Sequence, residues 1–333
     1  MRLNILKHTA LLLFLVGSLS SCNKEDSSDY SDSEKFKLTK ILHYSNSTSR
    51  EPARGVEYTY DKAGNMVIES FYDYLPTTIL WTYKEYEYSG MKKVKMKIFD
   101  GVAGNLRLGL YVDYIYVNDR IAKEEEYSGV NGSLINSMNY EYDERGNLVR
   151  QYRYEPNYGI TLDYKYAYDQ RNRLILEENT LFGVPNLKYI KYTYDDNGRK
   201  TKMEYCFENW DLYQYVEMSY NGTNKSPETE IHYDNNRVQT RKIQYIYDKR
   251  GNPTESLYYG ENEKYIGKDQ TLYDKWGNQI ETISINGCSL FKRKYNGKLL
   301  IEETHYWNGM PQIGGEGDCS PENGISRYEY KKI

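Results

Sequence analysis

A tyrosine followed directly by a turn-forming segment recurs at positions 60, 88, 116, 142, 168, 194, 220, 247 and 273, in steps of 26 to 28 residues. Fainter copies follow at Tyr295 and Tyr330, and a half-period copy sits at Tyr233. A fixed period of this length is the signature of a repeat architecture, in which each unit buries its face only against its neighbours. The chain must therefore be built from about ten copies of one supersecondary unit.

The best-preserved copies read YTYDKAGN (58–65), YEYDERGN (140–147), YAYDQRNR (166–173), YTYDDNGR (192–199), YIYDKRGN (245–252) and TLYDKWGN (271–278). Aspartate at the first turn position accepts a local backbone N–H. Glycine three residues later supplies the positive φ of a type I turn closed by a G1 bulge. Asp61 with Gly64, Asp143 with Gly146, Asp195 with Gly198, Asp248 with Gly251 and Asp274 with Gly277 fit this device, and Asp169 pairs with Asn172, the residue type that best tolerates that region after glycine. The flanks alternate with period two, and a three-residue loop sets Tyr60 opposite Met66 and Tyr168 opposite Leu174. Twenty-six residues suffice for two strands and two turns, and no segment beyond the N-terminal one has a helical period.

These units resemble the YD, or RHS-type, repeat, over roughly residues 40–333. The resemblance implies a sheet like the spiralling shells of longer RHS proteins, and it implies no particular activity. Some twenty strands exceed the roughly ten that an open twisted sheet tolerates, so the sheet must curl. The expected fold is all-β: an elongated antiparallel meander of repeated β-hairpins, curled into an open solenoid or partial shell. The chain departs from long RHS proteins in being short, with neither the core-type cleavage sequence nor a distinct C-terminal toxin domain.

The N-terminus reads as a secretory signal: Arg2 and Lys7, an apolar run from Ala10 to Val16, then small residues. That run is too short to span a bilayer. Leu19-Ser20-Ser21-Cys22 looks like a lipobox, which implies cleavage before Cys22 and a lipid anchor on it, the expected membrane partner. The following stretch is acidic and serine-rich, too polar to repay ordering, and Lys24-Glu25-Asp26 resembles the export signal of surface-displayed Bacteroidetes lipoproteins. The expected division is a signal peptide at 1–21, a flexible acidic tether at 22–35 and a repeat domain at 36–333, on a lipid-anchored outer-membrane protein exposed at the cell surface.

With a net charge of −4 and a mean hydropathy of −0.85 there is no basic excess for phosphate, so nucleic acid is not an expected partner. Tyrosine outnumbers phenylalanine 39 to 7, which suits a pleated sheet whose rings pack on one side and whose hydroxyls stay wet. His43, His232 and His305 lack cysteine partners at ligand spacing, so no metal is expected. Glu124-Glu125-Glu126, Glu177-Glu178 and Glu302-Glu303 read as solvated faces and as charges that discourage edge pairing, not as a catalytic pair. The turn aspartates are too sparse for a calcium loop, and no nucleophile elbow, P-loop or dinucleotide fingerprint occurs. No enzyme and no cofactor are expected. Cys288 and Cys319 are a candidate disulfide for an oxidising compartment, with Cys206 left over.

The array has two unlike rims. One holds the near-constant Asp-x-x-Gly turns. The other holds connections of varied length that carry Trp81, Tyr158, Phe182, Trp210, Tyr259 and Trp307. Variation on one edge is where repeat proteins place binding, and these aromatics are the candidate ligand-binding rim, for carbohydrate or an envelope protein. The competing reading makes them caps on a narrow core. The functional expectation is a non-enzymatic binding or scaffold module, with a structural shell or adhesion component of an envelope complex as the alternative.

Overall fold

The computed structural model describes residues 36–45, 48–102, 105–178, 187–283, 289–305 and 324–332. These hold 22 strands, from Phe36–Tyr44 to Gly324–Lys332. Each strand pairs antiparallel with the next in the chain, as Arg54–Tyr60 does with Met66–Asp73. The last strand pairs with the first, from Phe36 opposite Lys332 to Tyr44 opposite Ile325. The sheet is therefore a closed β-barrel. This corrects the expectation of an open solenoid or partial shell: closing the ring gives the two end strands ladder partners and leaves no edge.

Local sequence supplies the curvature that closure needs. The register slips by one residue just before the repeat tyrosine in hairpin after hairpin, between Thr59 and Tyr60, Glu141 and Tyr142, Ala167 and Tyr168, and Ile246 and Tyr247. Such bulges raise local twist and cluster at barrel rims. The expected pairs Tyr60 with Met66 and Tyr168 with Leu174 both occur.

The face that carries the repeat tyrosines is the concave one. Its side chains interact across an intervening strand, Tyr58 with Tyr328 and Tyr140 with Tyr114, and the Lys93 ammonium sits between the rings of Tyr86 and Tyr114 on the two flanking strands. Burial raises the phenols of Tyr58, Tyr114 and Tyr166 to about 12. On the opposite face Thr59, Ile115, Glu141, Ile246 and Leu272 are exposed.

That outer face is laddered with ion pairs, among them Lys40–Glu57, Lys95–Asp113, Lys97–Glu87, Arg150–Asp163, Lys202–Glu204 and Lys268–Glu255, at 2.6 to 3.0 Å. A strand barrel that crosses a bilayer turns an apolar band outward. This wall carries ion pairs beside exposed apolar residues such as Ile115, Ile246 and Leu272.

Candidate functional site

At the constant rim, six hairpin tips are compact acceptor sites. Gly64, Gly146, Gly198, Gly251 and Gly277 take φ between +80° and +87°, and Asn172 takes +60°. In Asp61, Asp169, Asp248 and Asp274 one carboxylate oxygen accepts the N–H groups two and four residues on, at 2.8 to 2.9 Å. Asp143 and Asp195 accept the N–H four residues on. The second oxygen accepts the side chain at that fourth position: Asn65, Asn147, Arg173, Arg199, Asn252 or Asn278. Those hydrogen bonds, the Asn side chain first, hold the carboxyls of Asp61, Asp143 and Asp248 below the usual aspartate range.

Neighbouring tips are tied together. Arg145 donates to the Asp169 carbonyl (2.9 Å), Arg173 to that of Asp195 (3.1 Å), Arg199 to that of Gly222 (2.6 Å) and Asn278 to that of Gly297 (2.9 Å). Lys37, on the first strand, reaches the Gly64 carbonyl at 3.0 Å. The constant rim is thus a belt of turns whose hydrogen-bonding groups are already engaged.

Just below that belt the repeat tyrosines act as staples, and here the expectation of wet hydroxyls is corrected. Tyr60, Tyr88, Tyr142, Tyr168, Tyr194, Tyr220, Tyr247, Tyr273 and Tyr295 donate to the carbonyls of Leu38, Met66, Ile121, Leu148, Leu174, Lys200, Pro227, Pro253 and Gln279, at 2.6 to 3.1 Å. A hydroxyl pointed along the concave wall lies against the preceding hairpin, where a carbonyl at the strand start offers it a partner.

The carboxylate clusters divide between the walls, because adjacent strand residues face opposite ways. Glu125 and Glu178 lie outside, ion-paired with Lys123 and Lys165. Glu124 and Glu177 lie inside and accept the hydroxyls of Tyr140 (2.9 Å) and Tyr192 (2.6 Å). Glu69 does the same for Tyr86 (3.0 Å) while holding Lys84 at 2.8 Å, and the Glu230 carboxylate adds to burial in raising the Tyr245 phenol. From Met66–Asp73 to Thr229–Asp234 an inner carboxylate therefore recurs on every second hairpin; the matching positions between are Met96, Gln151 and Met203, and those that follow are Ser256, Thr282 and Glu303. These glutamates are neither merely solvated nor guarding an edge, since the ring has none. The inner lysines Lys93 and Lys200 sit against tyrosine rings at 4.6 and 4.1 Å, and burial lowers their pKa.

The variable rim differs. Trp81 packs on Phe71 with centroids 5.7 Å apart and remains 44% exposed. Trp210 lies flat on Tyr189 at 3.7 Å and 6° and remains 47% exposed. Tyr259 is half-buried, edge-on to Tyr265, with the Lys242 ammonium over its ring. Tyr158 is 77% exposed at a hairpin tip. These four lie on separate hairpins and form a row around the rim, not one cavity. Phe182, Trp307, Cys288 and Cys319 lie outside the described residues, as does Cys22. Cys206 is a free thiol, buried on the outer face opposite Tyr189. Among the described residues no group of three or more His, Cys, Asp or Glu is arranged to hold a metal ion.

Three features were not read from the sequence. The belt had a signal, arginine or asparagine at the fifth turn position. The staples had one too, in the fixed tyrosine directly before each aspartate. The left-handed backbone of Trp210, φ +70°, had none beyond its place in a short connection.

No sequence family matches the chain, and no curated protein does. Among solved structures it is similar to the Tc holotoxin pore of Photorhabdus luminescens, at 15% identity and a TM-score of 0.46, over 76% of this chain and 14% of that one. It is also similar to a porin-like protein from Bacteroides uniformis, at 8% identity and a TM-score of 0.26, over 88% and 98% of the two chains. A porin-like protein from Bacteroides vulgatus gives 12% identity and a TM-score of 0.21, over 69% and 95%.

Proposed function

We propose that this protein is a lipoprotein built of YD-type repeats, held at the outer membrane through Cys22 and displayed at the cell surface. In this reading its barrel is a non-enzymatic module that binds or scaffolds glycan or protein with its variable rim. The observation that carries this reading is the inequality of the two rims. One is belted by hydrogen bonds between turns. The other presents Trp81, Tyr158 and Trp210 with large exposed surfaces, whereas among the described residues the belted rim has one such tryptophan, Trp276, and exposed rigid aromatics rimmed by polar groups are what recognition surfaces use.

Cys22→Ala is expected to move the protein from the detergent phase to the aqueous phase and to abolish labelling by palmitate. Equal membrane recovery of the two forms refutes the anchor. Intact cells treated with protease should lose the barrel if it is displayed outward, and full protection refutes display.

A further inference from the structure

The connection from Phe207 to Asp211 is built on the same frame as the constant turns. The Phe207 N–H donates to the Asp211 carbonyl and the Trp210 N–H to that of Phe207, both at 2.9 Å, as Asp61 does to Asn65 and Gly64 to Asp61. In that frame Trp210 stands where Gly64 stands. A side chain there works against the left-handed backbone, and the constant turns answer with glycine or asparagine. The same frame recurs between Asp234 and Val238 with Arg237 at φ +66°, so what sets Trp210 apart is not the backbone but what its side chain covers.

What fixes Trp210 is Tyr189, itself only 9% exposed, whose ring it covers face to face. The indole thus stands seated on Tyr189, with the Lys191 ammonium over its ring and 47% of its surface exposed. Around it stand polar groups. Lys191 holds its ammonium 4.8 Å from the ring centre and makes no ion pair with any described residue. The Asn209 amide donates to the Asp211 carboxylate at 2.6 Å, and Lys188 bridges Glu208 at 3.2 Å. A protein-binding hot spot needs a surround that excludes water. A frame of lysine, asparagine and carboxylates instead matches a ligand that is apolar on its flat face and hydroxylated at its edge. The C–H groups on one face of a pyranose meet the negative face of an indole, and its hydroxyls meet such a frame.

The geometry points to Trp210 as the stacking platform for a pyranose ring of an oligosaccharide, with Lys191, Asn209 and Asp211 as partners of its hydroxyls. This rests on the variable rim being the binding surface. The test uses the full mature chain on a printed array of pyranose oligosaccharides, followed by calorimetric titration of an oligosaccharide the parent retains. Trp210→Gly is expected to weaken that binding about tenfold or more, and Trp210→Phe, which keeps a ring, by less. Trp210→Gly gives up the stack on Tyr189 but relieves the turn's φ, so its melting temperature should fall by less than that of Trp210→Ala, which keeps the strain. Equal affinity of Trp210→Gly and parent overturns the platform; if Trp81→Ala or Tyr158→Ala then abolishes binding, the rim reading survives without it. Retention of an envelope protein and of no oligosaccharide overturns the ligand class alone. Partners indifferent to all three rim substitutions overturn the rim reading as well.

Discussion

Removing three tyrosine hydroxyls that no ligand touches should measurably loosen the barrel. Tyr142, Tyr168 and Tyr194 each donate to a carbonyl of the preceding hairpin, at 3.0, 2.9 and 2.8 Å. Phenylalanine keeps the ring and its packing and deletes only the donor. A hydrogen bond of this kind contributes about 1 kcal/mol net. The three share no partner, so their losses should add to about 3 kcal/mol. With an unfolding entropy of about 2 cal/mol/K per residue, a barrel of roughly 300 residues converts that into a fall in Tm of about 5 °C. Calorimetry of Tyr142→Phe/Tyr168→Phe/Tyr194→Phe measures it. The control is Tyr152→Phe/Tyr154→Phe/Tyr158→Phe: Tyr152 and Tyr154 face outward, Tyr158 sits at an exposed tip, and none of the three hydroxyls has a hydrogen-bond partner among the described residues. It should melt within about 1 °C of the parent, since no hydrogen bond is lost. If the two triple variants melt alike, the hydroxyls do not bind hairpin to hairpin, and the excess of tyrosine over phenylalanine has another cause.

A Cβ on Gly198 meets nothing within 4 Å, so substitution there reads the backbone alone; Gly198→Val should destabilise by about 1–2 kcal/mol and Gly198→Asn by less, in urea melts. At Gly146 a Cβ would also fall 2.0 Å from the Arg120 guanidinium, so Gly146→Val should additionally displace that side chain. The turn carboxyls of Asp61, Asp143 and Asp248 titrate lower in the folded chain than unfolded. Their contribution is therefore present above the unfolded value near pH 4 and is lost as pH falls through the folded values. Tm should consequently drop below about pH 4, and Asn65→Ala, which removes the leading hydrogen bond on Asp61, should shrink the depression of that one carboxyl in a carbon-detected NMR titration.

What the sequence made legible was local. Tyr60 opposite Met66 follows from loop length and period-two alternation, both contained within a few residues. Closure is not local: nothing near Phe36 or Lys332 announces that they meet, and the same hairpins without that last pairing give the open shell expected from strand count. The carboxylates show a second limit. Glu124 and Glu125 differ by one position in the chain, but one accepts a tyrosine inside the wall and the other an ion pair outside, and only knowing which face is concave tells them apart. At the variable rim the aromatic residues were visible in the sequence. That Trp210 occupies a glycine's conformation was not, because that depends on the frame set by Phe207 and Asp211.

The seam between the first and last strands also orders events in time. Every other strand pairing joins neighbours along the chain, whereas at the seam the Thr39 hydroxyl donates to a carbonyl 290 residues away, that of Glu329. Hairpins can zip one after another as the polypeptide emerges, but two bare ladders stay open until the final strand, Gly324–Lys332, arrives. Those nine residues act as a latch. A chain shortened before Gly324 would keep nearly all of its local order yet offer exposed strands to other chains, so truncation at the C-terminus should turn a self-contained ring into a template for assembly.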